Sequence, residues 1–195
     1  MNALTAGDII PIADYERLRQ AFRARIIDVK QRRRISVGPL ITLVFENRDT
    51  LLFQIQEMIR VEQIVDPAKV REELDVYNAL LPAAGELSAT LLIEITDEAR
   101  MKEWLDAFMG LDRGKTVAIT AGGEQAFAEF EGGHSHDTKI SAVHFVRFAI
   151  PAPLRAALAD LRVPVTLSVQ HGDYREAAPV SGSMREEWLK DLSDR

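Results

Sequence analysis

The sequence predicts an α+β fold: an antiparallel or mixed β-sheet of about five to six strands with helices packed on it, and a helix-rich N-terminal third. Three observations carry this. Before about residue 82 the apolar residues recur mainly every three to four positions, the period of an amphipathic helix. After it they mainly alternate, the period of a half-buried strand. The chain is 195 residues long and 47% hydrophobic, enough for one core of ordinary domain size. Helices gathered early and strands later imply helices laid against a sheet. We assign one α+β domain over residues 1–178 and a tail, 179–195, holding a short amphipathic helix.

The elements follow in order. Asp14 caps a helix over 14–34, in which Tyr15, Leu18, Phe22, Ile26 and Val29 form a seam. "GPLITLVFEN" (38–47) is a strand with Ile41, Leu43 and Phe45 on one face. "TLLFQIQEMIRVEQI" (50–64) is a helix. Asp66 caps the next one, with Pro67 in its first turn and Val70, Leu74, Tyr77 and Leu81 as its seam. "LSATLLIEI" alternates and reads as a strand. A helix over about 98–109 stops at Gly110. "KTVAIT" and "EQAFAEF" form a hairpin across a Gly-Gly turn, and "SAVHFVRF" (141–148) is the following strand. "PLRAALADL" is a short helix, "VPVTLSV" a last strand, and Ser183 with Glu186 opens the C-terminal helix.

Composition excludes several chemistries. With no cysteine there is no disulfide, no thiolate nucleophile and no cysteine-ligated Fe–S cluster. No apolar run reaches the roughly 18 residues of a membrane-spanning helix, and no signal peptide is evident, so a soluble, cytoplasmic protein is expected. The net charge of −6 argues against a general nucleic-acid binder. The charge is segregated, however: Arg17, Arg19, Arg23, Arg25, Lys30, Arg32, Arg33 and Arg34 face one acid, Asp28, over residues 17–34. Such a run can complement a helix dipole, hold a phosphate or RNA, or meet an acidic partner. No P-loop, G-x-G-x-x-G, G-x-S-x-G or H-E-x-x-H motif occurs.

Two residues sit where their chemistry needs explaining. In "SAVHFVRF", His144 shares a face with Ile140, Ala142, Val146 and Phe148, whereas Arg147 points the other way, towards a carboxylate across the sheet. His144 is read either as a core histidine satisfied by its neighbours or as a metal ligand or proton carrier. At about 100° per residue, Glu62 falls inside an apolar helix face formed by Leu51, Leu52, Ile55, Met58, Ile59 and Val65. A carboxylate there must be paired, coordinated or protonated. Arg25 is its candidate partner, and the alternative joins Glu62 to His144 around a divalent Fe, Mn or Zn. "GGHSHD" (132–137), with His134, His136 and Asp137, is either a chelating loop or a solvated hairpin tip.

The strings "KQRRRISVGP" (30–39), "QIQEMIRVE" (54–62), "EELDVYNALLP" (72–82) and "SAVHFVRF" together resemble an uncharacterised bacterial family, domain of unknown function 3501. The resemblance runs from about residue 7 to 175. Its pattern falls on Arg32, Arg33, Gly38, Glu46, Gln54, Glu57, Met58, Arg60, Glu62, Glu73, Tyr77, Pro82, Ser141, His144 and Arg147. It does not extend to His134 and His136. Its members are often encoded beside rubrerythrin-like proteins and Fe–S oxidoreductases, which implies such a protein as partner and a place in peroxide or iron physiology.

Three function classes follow. The first is a non-catalytic accessory or binding protein for a rubrerythrin-like or Fe–S partner. The second is a metal-dependent enzyme or sensor using Glu62 and His144. The third is a nucleotide or RNA binder through residues 23–34. Arg25, Arg32, Arg33, Gln54, Glu57, Arg60 and Arg147 are the candidate binding residues, and a homodimer is left open.

Overall fold

The computed structural model describes residues 1–132 and 140–193. The chain runs α1 (Ile12–Arg33), β1 (Arg34–Val37), β2 (Ile41–Glu46), α2 (Arg48–Val61), α3 (Pro67–Asn78), β3 (Glu86–Ile93), α4 (Met101–Ala107), β4 (Val117–Ala121), β5 (Glu124–Phe130), β6 (Val143–Ala149), α5 (Ala152–Ala159), β7 (Val165–His171), β8 (Tyr174–Pro179) and α6 (Gly182–Ser193). The α+β class stands, but the sheet among the described residues has eight strands rather than five or six.

Strand order is β1-β2-β3-β6-β5-β4-β7-β8, and every neighbouring pair is antiparallel. The sheet curls until its two edge strands meet, making it nearly a barrel. Tyr174 joins them: its hydroxyl donates to the Val37 carbonyl at 2.5 Å and accepts from the Leu40 amide at 3.2 Å. The approach demands a glycine at 38, where φ is +71° and a Cβ would stand 2.6 Å from the Tyr174 hydroxyl and closer still to Glu176. A side chain there would clash and would strain the left-handed backbone.

Period-two alternation fills the interior. Ile41, Leu43, Phe45, Leu87, Leu91, Val146, Phe148, Leu167 and Val169 all point inward into one core. The segment expected as a tail is part of the domain up to residue 193, because α6 sends Met184, Trp188 and Leu192 into that same core. Trp188 is fully buried, with its ring 4.5 Å from that of Phe45.

Helices cover the outside of β2. All six of its residues are buried, so the strand is covered on both faces. Leu51, Ile55 and Ile59 of α2, Leu74 of α3 and Leu80 and Leu81 beyond it make a second apolar layer there, with Phe145 of β6 packed against it. Residues 1–11 cross this layer as a strap with one 3-10 turn, Ala6–Asp8. Two buried or half-buried amides hold the strap as a neighbouring strand would: Asn78 exchanges both bonds with the backbone of Leu4 (2.7 and 2.9 Å), and Gln56 does so with Ile10 (2.9 and 2.8 Å).

The helix of α1 gives way directly to β1 at one residue, Arg33. Its guanidinium is 1% exposed and forks onto Asp191 of α6 at 2.6–2.8 Å. It also donates to the Phe45 carbonyl at 3.4 Å. Removing one member of such a buried pair strands the other charge. Arg33→Met is therefore expected to lower unfolding free energy by about 3–5 kcal/mol. Adding Asp191→Leu should recover most of that loss in the same denaturant titration. A loss below about 1 kcal/mol for the single variant would show that the pair does not tie the helix ends.

Candidate functional site

The structure places the two halves of "SAVHFVRF" on opposite sides of the sheet. His144 points into the barrel, fully buried between Val146 and the registered Leu91. Its Nε2 lies 2.9 Å from the Ser141 carbonyl, and its ring meets Phe130 edge-on at 5.6 Å. Arg147 points outward. It pairs with Glu131 at 2.9 Å and Glu86 at 3.6 Å, and donates to the carbonyls of Leu81 and Ala79 beyond α3. It therefore ties the α3–β3 connection to β6.

Glu62 is not in an apolar face. The helix α2 ends at Val61, and Glu62 is its exposed C-cap. The stop comes from Gln63, which adopts a left-handed backbone with φ of +53°. The Ile64 amide then reaches back to the Ile59 carbonyl at 3.0 Å, the six-to-one bond of a Schellman cap, and both side chains join the same apolar cluster. Periodicity extends the helix to 64 and so counts Val65 in the apolar face around Glu62, but the turn at 63 leaves Val65 in solvent, and Met58 is exposed as well. Arg25 pairs instead with Asp49 of α2 at 2.8 Å. Glu62 follows a helix on the outer face of the sheet and His144 faces the interior, so the fold does not bring them together. Among the described residues no group of three or more His, Cys, Asp or Glu side chains could hold a metal ion. His134, His136 and Asp137 lie outside the described residues.

The basic run is a seam. Arg19 forks onto Glu57 at 2.8 and 2.9 Å, Arg32 meets Asp28 at 2.5 Å and Glu187 at 3.7 Å, and Arg34 meets Glu94 at 2.7 Å. With Arg17–Asp14, Arg25–Asp49 and Arg33–Asp191, six of the eight basic side chains named above are paired, holding α1 to itself, α2 and α6, and the start of β1 to the end of β3. Arg23 and Lys30 have no ion pair among the described residues.

Glu57 is the centre of the tightest cluster. It accepts from Arg19 and from the buried Tyr15 hydroxyl at 2.7 Å, and Arg60 lies 3.4 Å away, itself 3.4 Å from Glu16. The Arg19 guanidinium, opposed by partial burial and reinforced by Tyr15, holds the Glu57 carboxyl down to about 2. Burial and the adjacent carboxylate push the Tyr15 phenol up.

Glu46, at the end of β2, is the buried carboxylate that periodicity alone does not flag. It accepts from Thr50 (2.5 Å), Gln54 (3.0 Å) and Thr90 (2.6 Å). Thr50 also closes the capping box of α2 with Asn47. A void of about 10 Å³ separates Glu46 from Arg147, room for about one water. Gln54, Glu57, Arg60 and Arg147 therefore all make contacts within the chain.

The accessible concave surface lies elsewhere. A groove of about 610 Å³ runs between the strap, the start of α1 and the α2–α3 turn. Ile59 forms its floor, Ile9, Ile12, Ile64 and Val70 its walls, and Val65 its lip at 79% exposure. Arg71 is the single charged side chain among the described residues that line it. The volume lies within the usual range of small-molecule sites, which are mostly apolar with few polar groups. Sequence reading passed over it, although "DIIPIA" (8–13) is an apolar run outside any periodic element. A wider depression of about 790 Å³ over the outer face of β5 carries mixed charges, Glu86, Asp112, Lys115 and Glu129, without a convergent set.

Comparison with known proteins places these features in a family. The family described as Protein of unknown function (DUF3501) matches residues 3–192. A crystal structure of a novel protein of unknown function from Burkholderia pseudomallei K96243 is similar over 98% of this chain and 100% of that one, at 29% identity and a TM-score of 0.89. No curated protein matches.

The Glu57 cluster gives a pH dependence. Its folded-state pKa of about 2 lies below the ordinary 4.5, so its stabilisation is present above pH 4.5 and is lost as pH falls towards 2. In denaturant titrations at stepped pH, Glu57→Gln is expected to flatten the fall in stability across that window. Parallel curves for variant and wild type would mean that the cluster does not contribute.

Proposed function

From the premise that this chain belongs to the DUF3501 family, which assigns no reaction, we propose that it is a non-catalytic binding protein whose recognition surface is the groove between the strap and the α2–α3 turn. One observation carries the reading. The groove is open, apolar and about 610 Å³, whereas the carboxylates, phenol and guanidinia that could do chemistry are engaged in contacts that hold the fold. An exposed apolar concavity is unfavourable in water and marks a place where something else is buried. In the redox setting implied by the resemblance, the protein acts as an accessory to a rubrerythrin-like or Fe–S partner rather than as the catalyst.

The alternatives draw less support. A Glu62–His144 metal centre would need ligands from opposite faces of the sheet. An RNA or nucleotide site on residues 23–34 would have to use Arg23 and Lys30, since Asp49, Glu94, Glu187 and Asp191 already pair with Arg25, Arg34, Arg32 and Arg33.

The test uses an apolar fluorescent probe of the anilinonaphthalene type. The native protein is expected to bind it saturably at one site. Val65→Glu, at a position exposed enough to spare the fold, should weaken binding by about tenfold or more, since each 1.4 kcal/mol is a factor of ten. Absence of saturable binding, or indifference to Val65→Glu, would sink the reading.

A further inference from the structure

We infer that the occupant of this groove is an amphipathic carboxylate, an unbranched fatty acid whose chain lies along the apolar walls and whose head meets Arg71. The inference rests on the groove being a binding site and adds its ligand.

The argument is one of charge complementarity. Ile59, Ile64 and Val70 offer a polar group nothing to bond, so the part of a ligand that lies on them is hydrocarbon. Each added methylene removes more apolar surface from water, so affinity there grows with chain length. Arg71 lies one residue beyond Val70, at the edge of the same wall, on the exposed face of α3. No carboxylate among the described residues lies within ion-pair distance of it, in contrast to the engaged arginines of α1. A guanidinium presents two parallel N–H donors in the geometry of a carboxylate's two oxygens.

The form of the groove fits a slender ligand. Its sides come from the strap with the start of α1, the α2–α3 turn and the first turn of α3. A flexible chain can follow that course. The Gln56 clamp fixes the strap at Ile10, so one wall is set before anything binds.

The experiment compares sodium dodecanoate, 1-dodecanol and dodecyl phosphate by displacement of the apolar fluorescent probe, all below their aggregation limits. Dodecanoate is expected to displace the probe about tenfold or more better than dodecanol, as a charged hydrogen bond at this rim provides. Arg71→Gln should remove that advantage and leave dodecanol unchanged. Decanoate should bind less tightly than dodecanoate. Equal binding of acid and alcohol, or a silent Arg71→Gln, would overturn the carboxylate while leaving the apolar groove standing. Tighter binding of dodecyl phosphate than of dodecanoate would overturn it as well. Probe binding with displacement by none of the three overturns the fatty ligand alone. Failure of the probe itself to bind removes the groove reading and this inference with it.

Discussion

The pairing of Arg33 with Asp191 is the constraint around which the two ends of the chain are arranged. A guanidinium this deeply buried needs its charge and its donors satisfied, and here a carboxylate does most of that. That requirement brings α6 back across the sheet to the point where α1 turns into β1. Once α6 is there, Trp188 is seated against Phe45, and the barrel interior is closed by a residue some 140 positions away in sequence. The same guanidinium reaches the Phe45 carbonyl, so the pair and the aromatic contact fix the same strand. Buried ion pairs are weak sources of net stability. What this one supplies is position, since Arg33 meets both Asp191 and, at 3.4 Å, Glu187 of the same helix.

The other arginines of α1 extend that logic at lower energy. Their partners lie on α1 itself, on α2 and on α6, and such partly exposed pairs are individually weak. As a row they orient a helix whose apolar contribution is narrow, with Tyr15 and Ile26 its buried apolar side chains. A run of like charge that reads as a recognition surface in one dimension is therefore a lattice of internal contacts in three. The sequence shows the excess of arginine but not the acids, because those are scattered from Asp14 to Asp191.

Legibility followed locality. The inward direction of His144, the outward direction of Arg147 and the core faces of β2, β3 and β7 came from period two, which needs only neighbouring residues. Strands β1 and β8 were hidden. β1 has four residues, continues straight from a charged helix and is defined by its Gly38 turn into β2. β8 alternates weakly, and its one large inward residue, Tyr174, is held by a hydroxyl bond to a strand far away. The placement of Glu62 failed for a similar reason: the helix stop is made by a glutamine, which carries no stop signal in sequence. The groove was invisible because its strap, floor and rim come from separate parts of the chain.

That glutamine ties the fold to the proposed binding surface. A non-glycine residue in the left-handed region costs about 1–2 kcal/mol. It turns the chain so that Ile64 folds onto Ile59 while Val65, one residue on, is left at 79% exposure. A glycine at 63 would relieve the backbone, and a polar residue at 65 would suit the water around it. The turn has neither, so two local choices that disfavour the isolated fold fall two residues apart, in the turn whose Ile64 and Val65 line the groove. Local conflicts of this kind concentrate where a surface has a second task besides folding. Buried beneath a hydrocarbon chain, Val65 would no longer be unfavourable, and the left-handed turn would be the element that holds it at the lip.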